Sequence, residues 1–134
     1  MQAVGTAQCI SGVVRVFHER NAGVLVVAVE PDESPVLSGG TPGAHKIEGV
    51  GPGFVPPAWN ESLADEIQRV STSEAKDMTR RLAMEEALFA GTSSGANVVA
   101  ALRVAERLGP GRTVATLICD SGLKYLSTDL FSTR

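Results

Sequence analysis

The chain has 134 residues, 43% hydrophobic and 20% charged, with a net charge of −3. That length supports one domain burying about two-thirds of its unfolded surface, and its interspersed charges offer no basic face for a nucleic-acid partner. It has neither a signal-peptide pattern nor an apolar run near the roughly 18 residues that span a membrane, and its two cysteines, Cys9 and Cys119, form no disulfide framework, which points to a reducing cytoplasm.

Read in chain order, Met1-Gln2-Ala3-Val4-Gly5 is a stub of strand before a glycine turn, an opening expected of the later part of a larger enzyme. Ile10, Val13, Val14 and Phe17 follow at i, i+3, i+4 and i+7, the apolar stripe of a helix of about three turns. Val24–Val29 is continuously apolar and β-branched, as a strand covered on both faces should be. Glu66–Val70 is a short strand candidate. Ser71 and Glu74 then have the spacing of a capping box, opening a helix with Ala75, Met78, Leu82 and Ala83 inward. Ala87–Ala90 is a short apolar run. A second long helix is expected from near Ser94 to Leu108, stopped by Gly109-Pro110, with Val98, Ala101, Leu102, Ala105 and Leu108 as its core face. Thr113–Cys119 closes the series as a buried strand. Strands alternating with helices predict an α/β fold, a mostly parallel sheet flanked by helices in three layers, as a single domain over 1–134.

Between Pro31 and Pro57 the chain runs 27 residues without helical or strand periodicity, and six of its 14 glycines (39, 40, 43, 49, 51 and 53) lie there. So long a connection is usually a binding or active-site loop or a linker. Val36, Leu37, Ile47, Val50 and Phe54 can anchor it to a core, so it reads as a functional loop. Glycines there let backbone amides approach a ligand closely. Three small-residue turns accompany it: Gly5-Thr6-Ala7-Gln8-Cys9, Gly91-Thr92-Ser93-Ser94-Gly95-Ala96 and Asp120-Ser121-Gly122. In a parallel sheet such turns gather at the carboxyl edge, where their free amides suit a phosphate or carboxylate. Each alone is as easily a helix cap or tight turn. Together with the glycine loop they point to a small-molecule site. Neither His18 nor His45 sits in a triad context, and no ligand spacing points to a metal.

The order Ala28-Val29-Glu30-Pro31, Ser34-Pro35-Val36-Leu37-Ser38-Gly39-Gly40, His45 to Phe54, Gly91 to Ala96 and Asp120 to Thr128 resembles the C-terminal half of cysteine synthase (O-acetylserine sulfhydrylase). The likeness covers nearly the whole chain. It implies the large C-terminal domain of the type II fold of pyridoxal-phosphate enzymes, truncated at its N-terminus. It also implies pyridoxal 5'-phosphate as cofactor and an amino-acid substrate. The family reaction is a β-replacement making L-cysteine from O-acetylserine and sulfide.

By the same resemblance, a Gly-Thr-Gly-Gly-Thr turn that cradles the cofactor phosphate corresponds to Gly5, Thr6, Ala7, Gln8 and Cys9, of which only the first two match. Ser93 corresponds to the serine at the pyridine nitrogen, Gly49, Val50 and Gly51 to a loop lining the substrate pocket, and Asp120 to a residue beneath the ring. The lysine that carries the cofactor lies in the family's N-terminal half and has no counterpart. Of Lys46, Lys76 and Lys124, the first and last match non-catalytic positions and Lys76 lies on a charged helix face. The chain is therefore expected to be inactive alone. The alternatives are a non-catalytic regulatory module pairing with a full-length synthase or with serine acetyltransferase, and, least supported, an unrelated nucleotide-binding domain. A homo-oligomer is also open.

Overall fold

A computed structural model describes residues 1–20 and 22–132. Three parallel strands, β1 (Gln2–Ala3), β2 (Val27–Pro31) and β3 (Glu66–Val70), lie side by side in that order. The helices are α1 (Gln8–Glu19), α2 (Thr72–Glu85) and α3 (Thr92–Leu108). Side chains alternate across a strand, so Val4 and Ala28 pack with Ile10 and Val14 of α1 on one face. Ala3, Val29 and Val70 pack with Ala75 of α2 and Ala96 and Ala100 of α3 on the other. The expected three layers follow, with β2 buried along its whole length between them.

Most departures from the expected elements have a local cause. β2 begins at Val27 rather than Val24 because pairing starts where Val27 meets Glu66, and Val24 and Leu25 stay 44% and 41% exposed. Ala87–Ala90 forms no strand; Ala90 alone bridges Ser121, antiparallel. Residues 113–119 are not a buried strand either. They run beside β1, which is only two residues long, and are held at single points. The Met1 amino group donates to the Ala115 carbonyl at 2.8 Å, and Thr116 Oγ1 to the Met1 carbonyl at 3.1 Å. The buried Asn97 amide fills the gap: its Oδ1 accepts from Ala3 N–H at 2.6 Å and its Nδ2 donates to the Leu117 carbonyl at 2.9 Å.

The face of α3 also differs from expectation. Ala96, Asn97, Ala100 and Val104 are buried, whereas Leu102 and Leu108 are 53% and 39% exposed. Small residues win because α3 lies too close to α2 for large ones. A Cβ added at Gly95 would stand 2.2 Å from both the Ala75 carbonyl and Thr79 Oγ1. On α2 the capping box forms as expected, with Ser71 Oγ accepting from Glu74 N–H and the Glu74 carboxylate accepting from Ser71 N–H.

The glycine loop is anchored rather than free. Buried Glu30 of β2 accepts from Leu37 N–H at 2.8 Å and from the Ser38 hydroxyl, fixing the first turn of the loop. Ile47, 2% exposed, plugs into the core beneath β2.

Candidate cofactor and substrate site

A cavity of about 670 Å³ opens at the carboxyl end of β1. Its lining brings together Gly5, Thr6, Ala7 and Cys9 at the start of α1, Gly49 and Val50 of the glycine loop, and Ser93 at the start of α3. With Asp120, which also lines it, eight of the ten expected site residues therefore meet in one place. The other two do not. Gln8 turns to an adjoining groove with Pro52 and Phe54. Gly51 supports the loop instead, its N–H donating to the Val4 carbonyl at 3.0 Å and its carbonyl accepting from His45 Nε2 at 2.8 Å.

The α1 end suits an anion. Its N-cap, Ala7, makes no side-chain cap, so the first-turn amides keep their capacity to donate and the helix presents its positive end. Ala7 holds φ 63°, a left-handed conformation costing a non-glycine residue roughly 1–2 kcal/mol. The turn thus keeps a backbone shape that glycine would adopt freely. Gly5 packs so tightly on the glycine loop that a Cβ there would lie 2.4 Å from the Gly49 carbonyl.

The paired serines of α3 divide their tasks. Ser94 Oγ is fully buried and accepts from Cys119 N–H at 2.8 Å, tying the 113–119 segment to the helix. The Ser93 hydroxyl makes no hydrogen bond within the described residues and borders the cavity.

Sequence reasoning missed Glu48, Cys119, Lys124, Tyr125 and Thr128, which also line the cavity. Their signal was the Asp120-Ser121-Gly122 turn, since the next residues wind into a short 3-10 helix, Gly122–Tyr125, that brings them back. Tyr125 OH donates to Asp120 Oδ2 at 2.8 Å, and Lys124 Nζ lies 3.7 Å from the same oxygen. Burial, then the hydrogen bond to Asp120, pushes the Tyr125 phenol well above its ordinary range, so it stays a neutral donor. Asp120 Oδ1 is buried without a partner among the described residues. The other lysines are elsewhere: Lys76 Nζ bonds both Asp129 oxygens at 2.8 Å, and the Lys46 amide is held by Thr72.

A parallel sheet with helix starts and a glycine loop around a cavity at its carboxyl edge defines a small-molecule-binding α/β fold of the kind that holds phosphorylated ligands. The pyridoxal-phosphate dependent enzyme family matches residues 1–120, and the chain belongs to it. It is 46% identical over 132 residues to a cysteine synthase of Staphylococcus aureus, covering 98% of this chain and 43% of the relative. It is 48% identical over 128 residues to a probable cysteine synthase of Bacillus subtilis, covering 96% of this chain and 41% of the relative. Its fold superposes on the cysteine synthase crystal structure from Entamoeba histolytica with TM-score 0.91 at 37% identity, covering 98% of this chain and 39% of that one. The chain thus spans well under half the length of these relatives.

The residues present fit the non-covalent needs of pyridoxal phosphate: an uncapped helix start for the phosphate and a hydroxyl, Ser93, free to meet the ring.

Proposed function

We propose that this chain builds one wall of the active site of a cysteine synthase-like enzyme of the cytoplasm. That enzyme replaces the β-substituent of O-acetylserine with sulfide to give L-cysteine. The observation that carries the reading is the meeting of the 5–9 turn, Ser93 and the 49–50 loop around one cavity. When bound, pyridoxal phosphate supplies the electron sink for bond breaking next to the amino-acid nitrogen. The chain's own residues bind and orient. Backbone amides of Thr6, Ala7, Gln8 and Cys9 would hold the phosphate, helped by the Thr6 hydroxyl. Ser93 would exchange a hydrogen bond with the ring nitrogen and, being neutral, would keep a proton from settling there. Gly49 and Val50 form the wall against the substrate, with Gly51 bracing them from behind. The lysine that carries the cofactor is supplied from outside these residues.

The test is to supply a lysine-bearing N-terminal half of a relative, in trans or fused ahead of Met1, and to assay cysteine formation. Activity should appear, fall with Ser93→Ala and rise when Ala7, Gln8 and Cys9 are changed to Gly, Gly and Thr. No activity in any fusion, the changed turn included, defeats the reading.

A second reading is favoured by the exposed apolar residues beside β1, Val24, Leu25, Leu117 and Ile118. On it the chain is a non-catalytic module that pairs with a full-length synthase, a second copy or serine acetyltransferase. Co-purification with such a partner, without rescue of activity in the fusions, separates the two.

A further inference from the structure

Two threonines at the starts of two helices catch alternate amides of the glycine loop. Lys46 N–H donates to Thr72 Oγ1 at 3.0 Å, and Glu48 N–H donates to Thr92 Oγ1 at 3.0 Å. Between them Ile47 is buried in the core. The segment is therefore a strap held by one apolar plug and two hydroxyls.

The two catches differ in what they control. Thr72 opens α2 and is no part of the cavity wall. Thr92 is 2% exposed, stands directly before Ser93, and its catch leads into Glu48, Gly49 and Val50, the stretch of loop that lines the cavity. Just ahead of it, Gly91 is pressed by the opposite wall: a Cβ there would lie 2.2 Å from Asp120 Oδ1. Beyond the catch, Gly49 and Gly51 have φ of 79° and 57° and no side chain with which to hold the loop in place.

We infer that Thr92 is a positioning residue whose hydroxyl sets the distance between the glycine-loop wall and Ser93, and with it the width of the cavity. A residue of valine shape fills the same space but accepts no hydrogen bond, leaving the Glu48 amide without its acceptor. The ligand arm of the test rests on the cofactor reading above; the loop arm does not.

The experiment compares amide-resolved hydrogen exchange in this chain with its Thr92→Val, Thr92→Ser and Thr72→Val variants, alongside equilibrium dialysis against pyridoxal 5'-phosphate. Thr92→Val should speed exchange at Glu48 about tenfold, as loss of one hydrogen bond does, while Lys46 changes little. Thr92→Ser should restore it. Thr72→Val should do the reverse, loosening Lys46 and sparing Glu48. Binding of pyridoxal 5'-phosphate should weaken severalfold with Thr92→Val and hold with Thr72→Val. Unchanged exchange at Glu48 in Thr92→Val overturns the inference. So does a rise spread evenly through α3 that Thr92→Ser fails to reverse, or a loosened loop that binds pyridoxal 5'-phosphate as tightly as before. If the parent chain binds none while the exchange pattern holds, this wall does not hold the cofactor without the lysine-bearing half, and the role of Thr92 in placing the loop stands.

Discussion

At the residue scale the most informative contrast is between two adjacent serines with one chemistry and two surroundings. Ser94 spends its hydroxyl on the Cys119 amide, whereas Ser93 leaves its own at the cavity. Ser94→Ala removes the acceptor of a partly buried amide and should lower stability by about 1–2 kcal/mol. Ser93→Ala should leave stability within about 0.5 kcal/mol of the parent, since it breaks no bond inside the fold. Urea denaturation of the two variants measures the difference. Equal losses would mean that Ser93 is also structural.

Among the elements, α2 carries the clearest local code. Its capping box satisfies two backbone donors at once. The Ser71 N–H holds the Glu74 carboxyl below its ordinary range, helped by the Ser71 hydroxyl and by Arg103. A depressed carboxyl contributes stability above its unfolded pKa of about 4.3 and loses it as pH falls through the lower folded value. Ser71→Ala should therefore cost about 1 kcal/mol at neutral pH. The gap from the parent should narrow once Glu74 is protonated. Denaturation at neutral pH and again below the carboxylate range checks both halves; because alanine keeps the backbone N–H, a gap independent of pH rules out only the share carried by the Ser71 hydroxyl's bond to Glu74. β3 shows the complementary device. It lies at the sheet's edge, where Arg103 donates to the Arg69 carbonyl at 2.7 Å and Arg107 pairs with Glu66 at 2.7 Å. These long charged side chains cover the exposed edge and hinder further strand pairing.

For the whole molecule, the opposite edge is covered only by the 113–119 segment, which is held at single points. Around β1, Val24, Leu25, Leu117 and Ile118 are 44%, 41%, 42% and 48% exposed, and Val13 of α1 joins them at 42%. Val13, Val24, Leu25 and Leu117 border one groove, and an exposed apolar patch of this kind marks an interaction surface or an aggregation hazard. The isolated chain should self-associate or recruit a partner through it. Leu25→Lys combined with Leu117→Lys should shift sedimentation towards monomer without changing the helical content. A parent chain that sediments as a freely soluble monomer at high concentration contradicts this.

Much of the architecture was legible from local signals. Glu66–Val70, the Ser71 and Glu74 box, the end of α3 at Leu108 and the carboxyl-edge turns all rest on chemistry within a few residues of the chain, and each forms where the sequence places it. The long connection was legible too, because a run rich in glycine and proline supports neither period. What the tertiary structure decided were matters of phase and partnership. Periodicity marks a helix but not which small-residue face comes close enough to touch α2, so Gly95 and Ala100 are buried where Leu102 was expected. Apolar character marks a strand candidate, but 113–119 forms no ladder because β1 is only two residues long, and Asn97 bridges the gap with its side chain. A hydroxyl's role depends on what packs opposite it. Only the folded chain could give Ser94 to the Cys119 amide, leave Ser93 at the cavity and set Thr92 against the glycine loop.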